Sequence, residues 1–143
     1  MRQAMRLGLS MCAVVACACS SKSDSPTGTS DTGVLGAYKL TAVNGGALPG
    51  IYTSDASSRT MLDSATIRLS AGNLYSDTRS TRVIDNTGEH PSTDTRTGTY
   101  TETGDQFSFA YTNGIGIPAT QAATLSGSTL TLVEGSVTLT FKK

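Results

Sequence analysis

Few side chains in this sequence are suited to chemistry, and their spacing limits what they could do. The one histidine, His90, stands in the polar stretch Asp85-Asn86-Thr87-Gly88-Glu89-His90-Pro91-Ser92. A general base or a metal ligand needs partners held in fixed geometry. Glu89 is the only such neighbour, and the stretch reads as a solvated loop ahead of a turn proline. Serine and threonine are abundant, yet no Gly-X-Ser-X-Gly elbow and no Gly-X-X-X-X-Gly-Lys phosphate loop occurs. The glycine-rich segment Thr112-Asn113-Gly114-Ile115-Gly116-Ile117-Pro118 precedes a strand-like run and no helix, so it lacks the helix N-terminus that would hold an anion. The acidic residues do not follow the alternate spacing of a calcium loop. These patterns describe a protein that is not an enzyme, has no catalytic residues and holds neither metal nor cofactor.

Two constellations remain. Asp77 and Arg79 are two residues apart in a strand-like run, which places them on one face with Arg82 on the other. Facing inward, the pair could orient a polar ligand; facing outward, it is an ordinary ion pair worth a few tenths of a kcal/mol. The second set is aromatic and aliphatic: Tyr38, Leu40, Ile67, Leu69, Tyr100, Phe107, Phe109 and Phe141, with Tyr111 and Arg79 as polar groups near it. These residues are expected to face inward, where they either line a ligand cavity or fill a core.

The elements that must position them are strands. Tyr38, Leu40 and Ala42 alternate with polar residues, as do Ala65, Ile67 and Leu69, then Phe107, Phe109 and Tyr111, then Leu130 and Leu132, then Val137, Leu139 and Phe141. Weaker patterns cover residues 74–84, 97–101 and 119–125. Helix formers are sparse, and no long run repeats its apolar residues at three- and four-residue spacing. Asn44-Gly45-Gly46, Ala71-Gly72-Asn73, Thr103-Gly104-Asp105, Ser126-Gly127-Ser128 and Glu134-Gly135-Ser136 read as short turns joining antiparallel neighbours. The pattern predicts one all-β domain over residues 34–143: an up-and-down barrel of about eight strands that closes to hide its edges, or alternatively a two-sheet sandwich.

The first third of the chain is of another kind. Arg2 and Arg6 precede the short apolar run Leu7–Ala16, the layout of a secretory signal peptide over residues 1–16. Ten residues are about half of what a membrane-spanning helix needs. Val14-Val15-Ala16-Cys17 resembles a bacterial lipobox, which implies cleavage before Cys17 and lipid on its sulfur; Cys19 is the alternative site. Residues 20–33 are Ser, Thr, Gly, Asp and Pro with no apolar anchor after Lys22, so residues 17–33 read as a lipidated cysteine and a flexible tether. No cysteine follows Cys19, and the domain must therefore be stable without disulfides. Beyond the leader, nine basic residues face eleven acidic ones without a basic stripe, which argues against nucleic acid as a partner.

Gly36-Ala37-Tyr38-Lys39-Leu40, Val43-Asn44-Gly45-Gly46-Ala47-Leu48-Pro49, Gly98-Thr99-Tyr100, Gly104-Asp105-Gln106-Phe107-Ser108-Phe109, Leu125-Ser126-Gly127-Ser128-Thr129-Leu130-Thr131-Leu132 and Phe141-Lys142-Lys143 together resemble the bacterial lipocalin-like lipoproteins. The resemblance covers essentially all of the chain after the tether. It implies a barrel whose base is plugged by the aromatic of Gly-X-Trp, here Tyr38, with Lys142 or Lys143 as the basic residue that packs on the ring. The expected function is that of a non-enzymatic envelope lipoprotein, lipid-anchored and facing the periplasm from the outer membrane. It would bind a small apolar ligand, or an envelope protein, at the barrel mouth. The first alternative is a solid-core structural or interaction module whose segments 85–94 and 112–118 make the contacts, and the second is a hydrolase-type enzyme that uses His90 and nearby acids.

Overall fold

A computed structural model describes residues 33–143; the expected signal peptide, Cys17, Cys19 and the tether up to residue 32 lie outside the described residues. The described chain has no helix and nine antiparallel strands: β1 (Gly36–Val43), β2 (Gly50–Ser54), β3 (Arg59–Ser70), β4 (Leu74–Asp85), β5 (Gly88–Thr103), β6 (Gln106–Thr112), β7 (Pro118–Ser126), β8 (Thr129–Glu134) and β9 (Val137–Lys142). From β3 to β9 each strand pairs with the next, and β1 closes the circle by pairing with both β9 and β3. The result is a closed eight-stranded barrel with β2 as an extra strand laid along β3. The up-and-down barrel expected from the alternation is therefore the fold.

Period-two alternation puts one face of each strand inside. Leu62, Leu130, Leu132, Leu139 and Phe141 are fully buried, together with Tyr38, Ile67, Leu69, Tyr100, Phe107 and Phe109. The rings interlock, with Tyr75 on Phe109 at 4.8 Å and Tyr100 on Phe107 at 5.8 Å between centroids. Gly98 makes room for this: a Cβ there would lie 2.0 Å from the Ala110 carbonyl oxygen and 2.9 Å from the Tyr75 ring. An eight-stranded barrel is just narrow enough for side chains to fill it.

The barrel has two unlike ends. At the base lie the start of β1, the turns between β3 and β4, β5 and β6, and β7 and β8, and the C-terminal lysine, whose amide donates to Ser128 O. Tyr38 closes this end, its hydroxyl donating to Val34 O at 2.7 Å, and Lys143 Nζ stands 5.8 Å from the ring centroid. The opposite end, the mouth, carries β2, the tip of the β4–β5 hairpin, the β6–β7 loop and the β8–β9 turn.

The barrel has the expected eight strands, and Gly50–Ser54 pairs with β3 as one strand beyond them. One expectation needs correction. Residues 85–94 are not a loop: β5 starts at Gly88 and pairs with β4 in unbroken register from Asp85↔Gly88 to Leu74↔Thr99. The β5 arm of this hairpin is exposed on both faces from Gly88 to Thr95, so it needs no apolar residues, and its polar composition imitates a loop. Its Thr and Ser side chains bond across the strands instead, Thr78 Oγ1 to Thr95 Oγ1 at 3.0 Å and Ser80 to Thr93 at 3.3 Å.

Candidate functional site at the barrel mouth

Along β4 the inward positions read Tyr75, Asp77, Arg79 from base to mouth, and all three are buried. The apolar interior thus gives way to a charged layer. Arg79 Nε donates to Asp77 Oδ2 at 2.8 Å, while its two terminal nitrogens form a fork on Glu134, Nη1 to Oε2 at 2.6 Å and Nη2 to Oε1 at 2.7 Å. Arg96 on β5, the register partner of Asp77, donates through Nη2 to Asp77 Oδ2 at 2.8 Å and reaches Glu134 Oε1 at 3.4 Å. Gln121 on β7 and the Tyr52 hydroxyl also donate to Glu134. Tyr52 arrives from β2 through a step in register: Ile51 pairs with Met61 and Thr53 with Thr60, leaving Tyr52 as the extra residue of a bulge. Bulges of this kind re-aim a side chain, and this one brings a phenol to the barrel mouth.

Two cations and two carboxylates therefore neutralise one another at the top of the core. Burial alone would push the Glu134 carboxyl up, but the Arg79 fork, the Tyr52 hydroxyl and the Arg96 charge outweigh it and hold the group at about 2. Burial likewise opposes the Arg79 charge, and its bonds to Glu134 and Asp77 more than compensate, so its pKa is raised. Burial, then the bond to Glu134, raises the Tyr52 phenol. A carboxylate whose folded pKa lies below its ordinary 4.5 adds stability that is complete above pH 4.5 and is lost as pH falls toward 2. That gap corresponds to roughly 3 kcal/mol. Urea midpoints should therefore be steady from pH 7 to pH 5 and fall between pH 4.5 and 2, and Glu134→Gln should make that fall shallower.

The layer is satisfied apart from a few atoms. Asp77 Oδ1 is buried without a hydrogen-bond partner. Arg96 stacks its guanidinium 4.9 Å from the Tyr111 ring centroid, and its Nε and Nη1 have no acceptor among the described residues. Arg96 and Tyr111 line two clefts, one on each side of the β6–β7 hairpin. One, of about 520 Å³, opens between Asp94–Thr97 and Tyr111–Gly114; the other, of about 340 Å³, is bordered by Tyr52, Gln121, Val133 and Glu134. They exist because the ladder between β5 and β6 stops at Gly98↔Tyr111, and that between β7 and β8 at Ala123↔Leu132.

Of the residues singled out from sequence, Asp77 and Arg79 share the inward face and are joined. Tyr38, Leu40, Ile67, Leu69, Tyr100, Phe107, Phe109 and Phe141 belong to one buried core cluster, with Tyr111 partly buried against it. Arg82 is on the outer face, paired with Asp63 at 2.9 Å and Glu89 at 3.0 Å. His90 sits on β5 with its side chain 55% exposed, 2.9 Å from Thr87 Oγ1 and 3.4 Å from Asp85 Oδ1. Among the described residues no three His, Cys, Asp or Glu side chains gather as metal ligands.

Sequence reasoning missed Tyr52, Arg96, Gln121 and Glu134. A signal existed for two of them. Glu134 continues the inward parity of Leu130 and Leu132, and Arg96 that of Gly98 and Tyr100, so each is a charge on a face otherwise committed to the core.

Fold and site together define a closed β-barrel with a packed aromatic core, capped at one end by a buried ion network. Compared with protein-family models, curated proteins and solved structures, the chain matches none.

Proposed function

We propose that this chain is a non-enzymatic, lipid-anchored protein of the bacterial envelope that docks a protein partner on the mouth of its barrel. The observation that carries the reading is the distribution of exposed apolar side chains. Among the described residues five large ones are exposed, and four of them, Ile51, Ile115, Ile117 and Val133, stand at the mouth, while Leu74 is at the base. Ile115, at the tip of the β6–β7 loop, is 79% exposed. Apolar residues gathered at one end mark an interaction surface more than singly scattered ones do. The described chain starts at the base, the end opposite the mouth, so a tether from Cys17 would leave the mouth free for a partner.

A photocrosslinking residue placed at position 115 or 117 in living cells is expected to give a discrete protein adduct, and one at position 74 none. Adducts of equal yield at all three positions would end the docking reading. For the anchor, Cys17→Ser should abolish incorporation of labelled palmitate; persistence of the label would move the site to Cys19 or remove it.

A second reading has one observation in its favour. The free donors of Arg96, stacked on Tyr111 between two clefts, suit a small polar ligand rather than an apolar one, since Tyr38, Tyr100, Phe107 and Phe109 belong to one buried core cluster. Stabilisation by such a ligand should then vanish in Arg96→Ala and persist in Ile115→Ala.

A further inference from the structure

We propose that the free edge of β5 at Thr93–Thr95 is the docking element itself, and that it takes an extended segment of the partner protein as an added strand. This rests on the docking reading above and gives it a mode. The ladder between β5 and β6 ends at Gly98, whereas β5 continues to Gly88 paired only with β4, so residues 88–97 form the border of a sheet. Which backbone groups face outward follows from parity. Tyr100 N donates to Asn73 O, and the β4–β5 register runs unbroken from there, so even-numbered residues of β5 bond to β4. The odd-numbered residues turn their N–H and C=O groups the other way. Thr93 and Thr95 thus present both groups to the open side.

Pro91 has the same outward parity. Its missing N–H therefore costs β4 nothing and blocks strand addition toward the hairpin tip, the usual protection of an exposed edge. Thr93 and Thr95 carry no such protection, and threonine favours strands. Beside them lies the cleft of about 520 Å³ between Asp94–Thr97 and Tyr111–Gly114, on the side where a further strand would run 4.7–4.9 Å away. Two side chains on the inward face of this edge select the occupant. The Asp94 carboxylate makes no hydrogen bond or ion pair among the described residues, and Arg96 keeps Nε and Nη1 free. The matching segment has a basic residue opposite Asp94 and a hydrogen-bond acceptor two positions along, opposite Arg96. Affinity then comes from main-chain bonds and selectivity from these alternate side chains.

The test uses peptides selected from a random display library on the full-length chain, read by amide exchange and by binding. In the free protein the amides of Asp94 and Arg96 should exchange slowly and those of Thr93 and Thr95 fast. A bound peptide should slow Thr93 and Thr95. Thr95→Pro, which removes an outward N–H as Pro91 already does, should weaken binding at least about tenfold, while His90→Ala should not change it. Selected peptides that bind without slowing Thr93 and Thr95 would overturn strand addition, as would unchanged affinity in Thr95→Pro. Slowing that depends on protein concentration without peptide would mean that a second copy fills the edge, and overturns the partner assignment. The exchange measurement needs no variant, so it decides the matter even if Thr95→Pro fails to fold. Persistence of the adducts at 115 and 117 in Thr95→Pro cells would leave mouth docking standing while this mode falls; loss of adducts in the unsubstituted protein would remove the docking reading itself.

Discussion

Replacing Arg79 with alanine should cost about 3–5 kcal/mol, because it leaves buried carboxylates short of their main counter-charge. Asp77 is 2% exposed and Arg79 7%. Removing the guanidinium takes away both bonds of the Glu134 fork and one of the two cations on Asp77 Oδ2. Arg96 remains but meets Glu134 only at 3.4 Å, so it cannot replace the fork. Arg82 is the natural control. It also holds two carboxylates, Asp63 and Glu89, but all three side chains are solvated, and water screens such a pair so that its loss costs little. In urea at pH 7, Arg79→Ala should unfold at far lower denaturant than Arg82→Ala. Equal midpoints would mean that water reaches the network.

Tyr38→Ala should be comparably damaging, at roughly 3–5 kcal/mol for truncating a buried aromatic, against a total of about 5–15 kcal/mol for a typical domain. The ring is 1% exposed at the closed base, where it packs under Lys143 and bonds to Val34 O. Tyr38→Phe separates the two contributions: it keeps the ring and loses one hydrogen bond, about 0.5–1.5 kcal/mol. Lys39 points outward, and Lys39→Ala should leave the midpoint unchanged. If Tyr38→Ala and Lys39→Ala melt together, the ring does not carry the base.

Where a strand has one wet face and one buried face, its alternation was readable, and β1, β3, β6, β8 and β9 could be placed from sequence. The elements that escaped notice lack that contrast. The outer half of β5 is wet on both sides, and its residues from Glu89 to Thr97 include no aliphatic side chain. In β2 the bulge at Tyr52 breaks period two within five residues. For the site, Asp77 and Arg79 were legible as a pair because their proximity is local. The fork from Arg79 to Glu134 spans 55 residues and depends on barrel closure. No local pattern encodes that distance, although the inward parity of Glu134 marks it as a charge in need of a partner.

The position of β1 between β3 and β9 also constrains when this chain can fold. Lys39, Leu40, Ala42 and Val43 pair with Lys142, Phe141, Thr140 and Leu139, so the first strand waits for β9 before the ring can close. Until then β8 exposes a bare edge and Phe141 is missing from the interior. Contacts so distant in sequence slow folding. The sequential hairpins from β3 to β8 can form before β9 exists, but the ring cannot. Closure is therefore the last step that this topology allows, and the core stays incomplete until it happens.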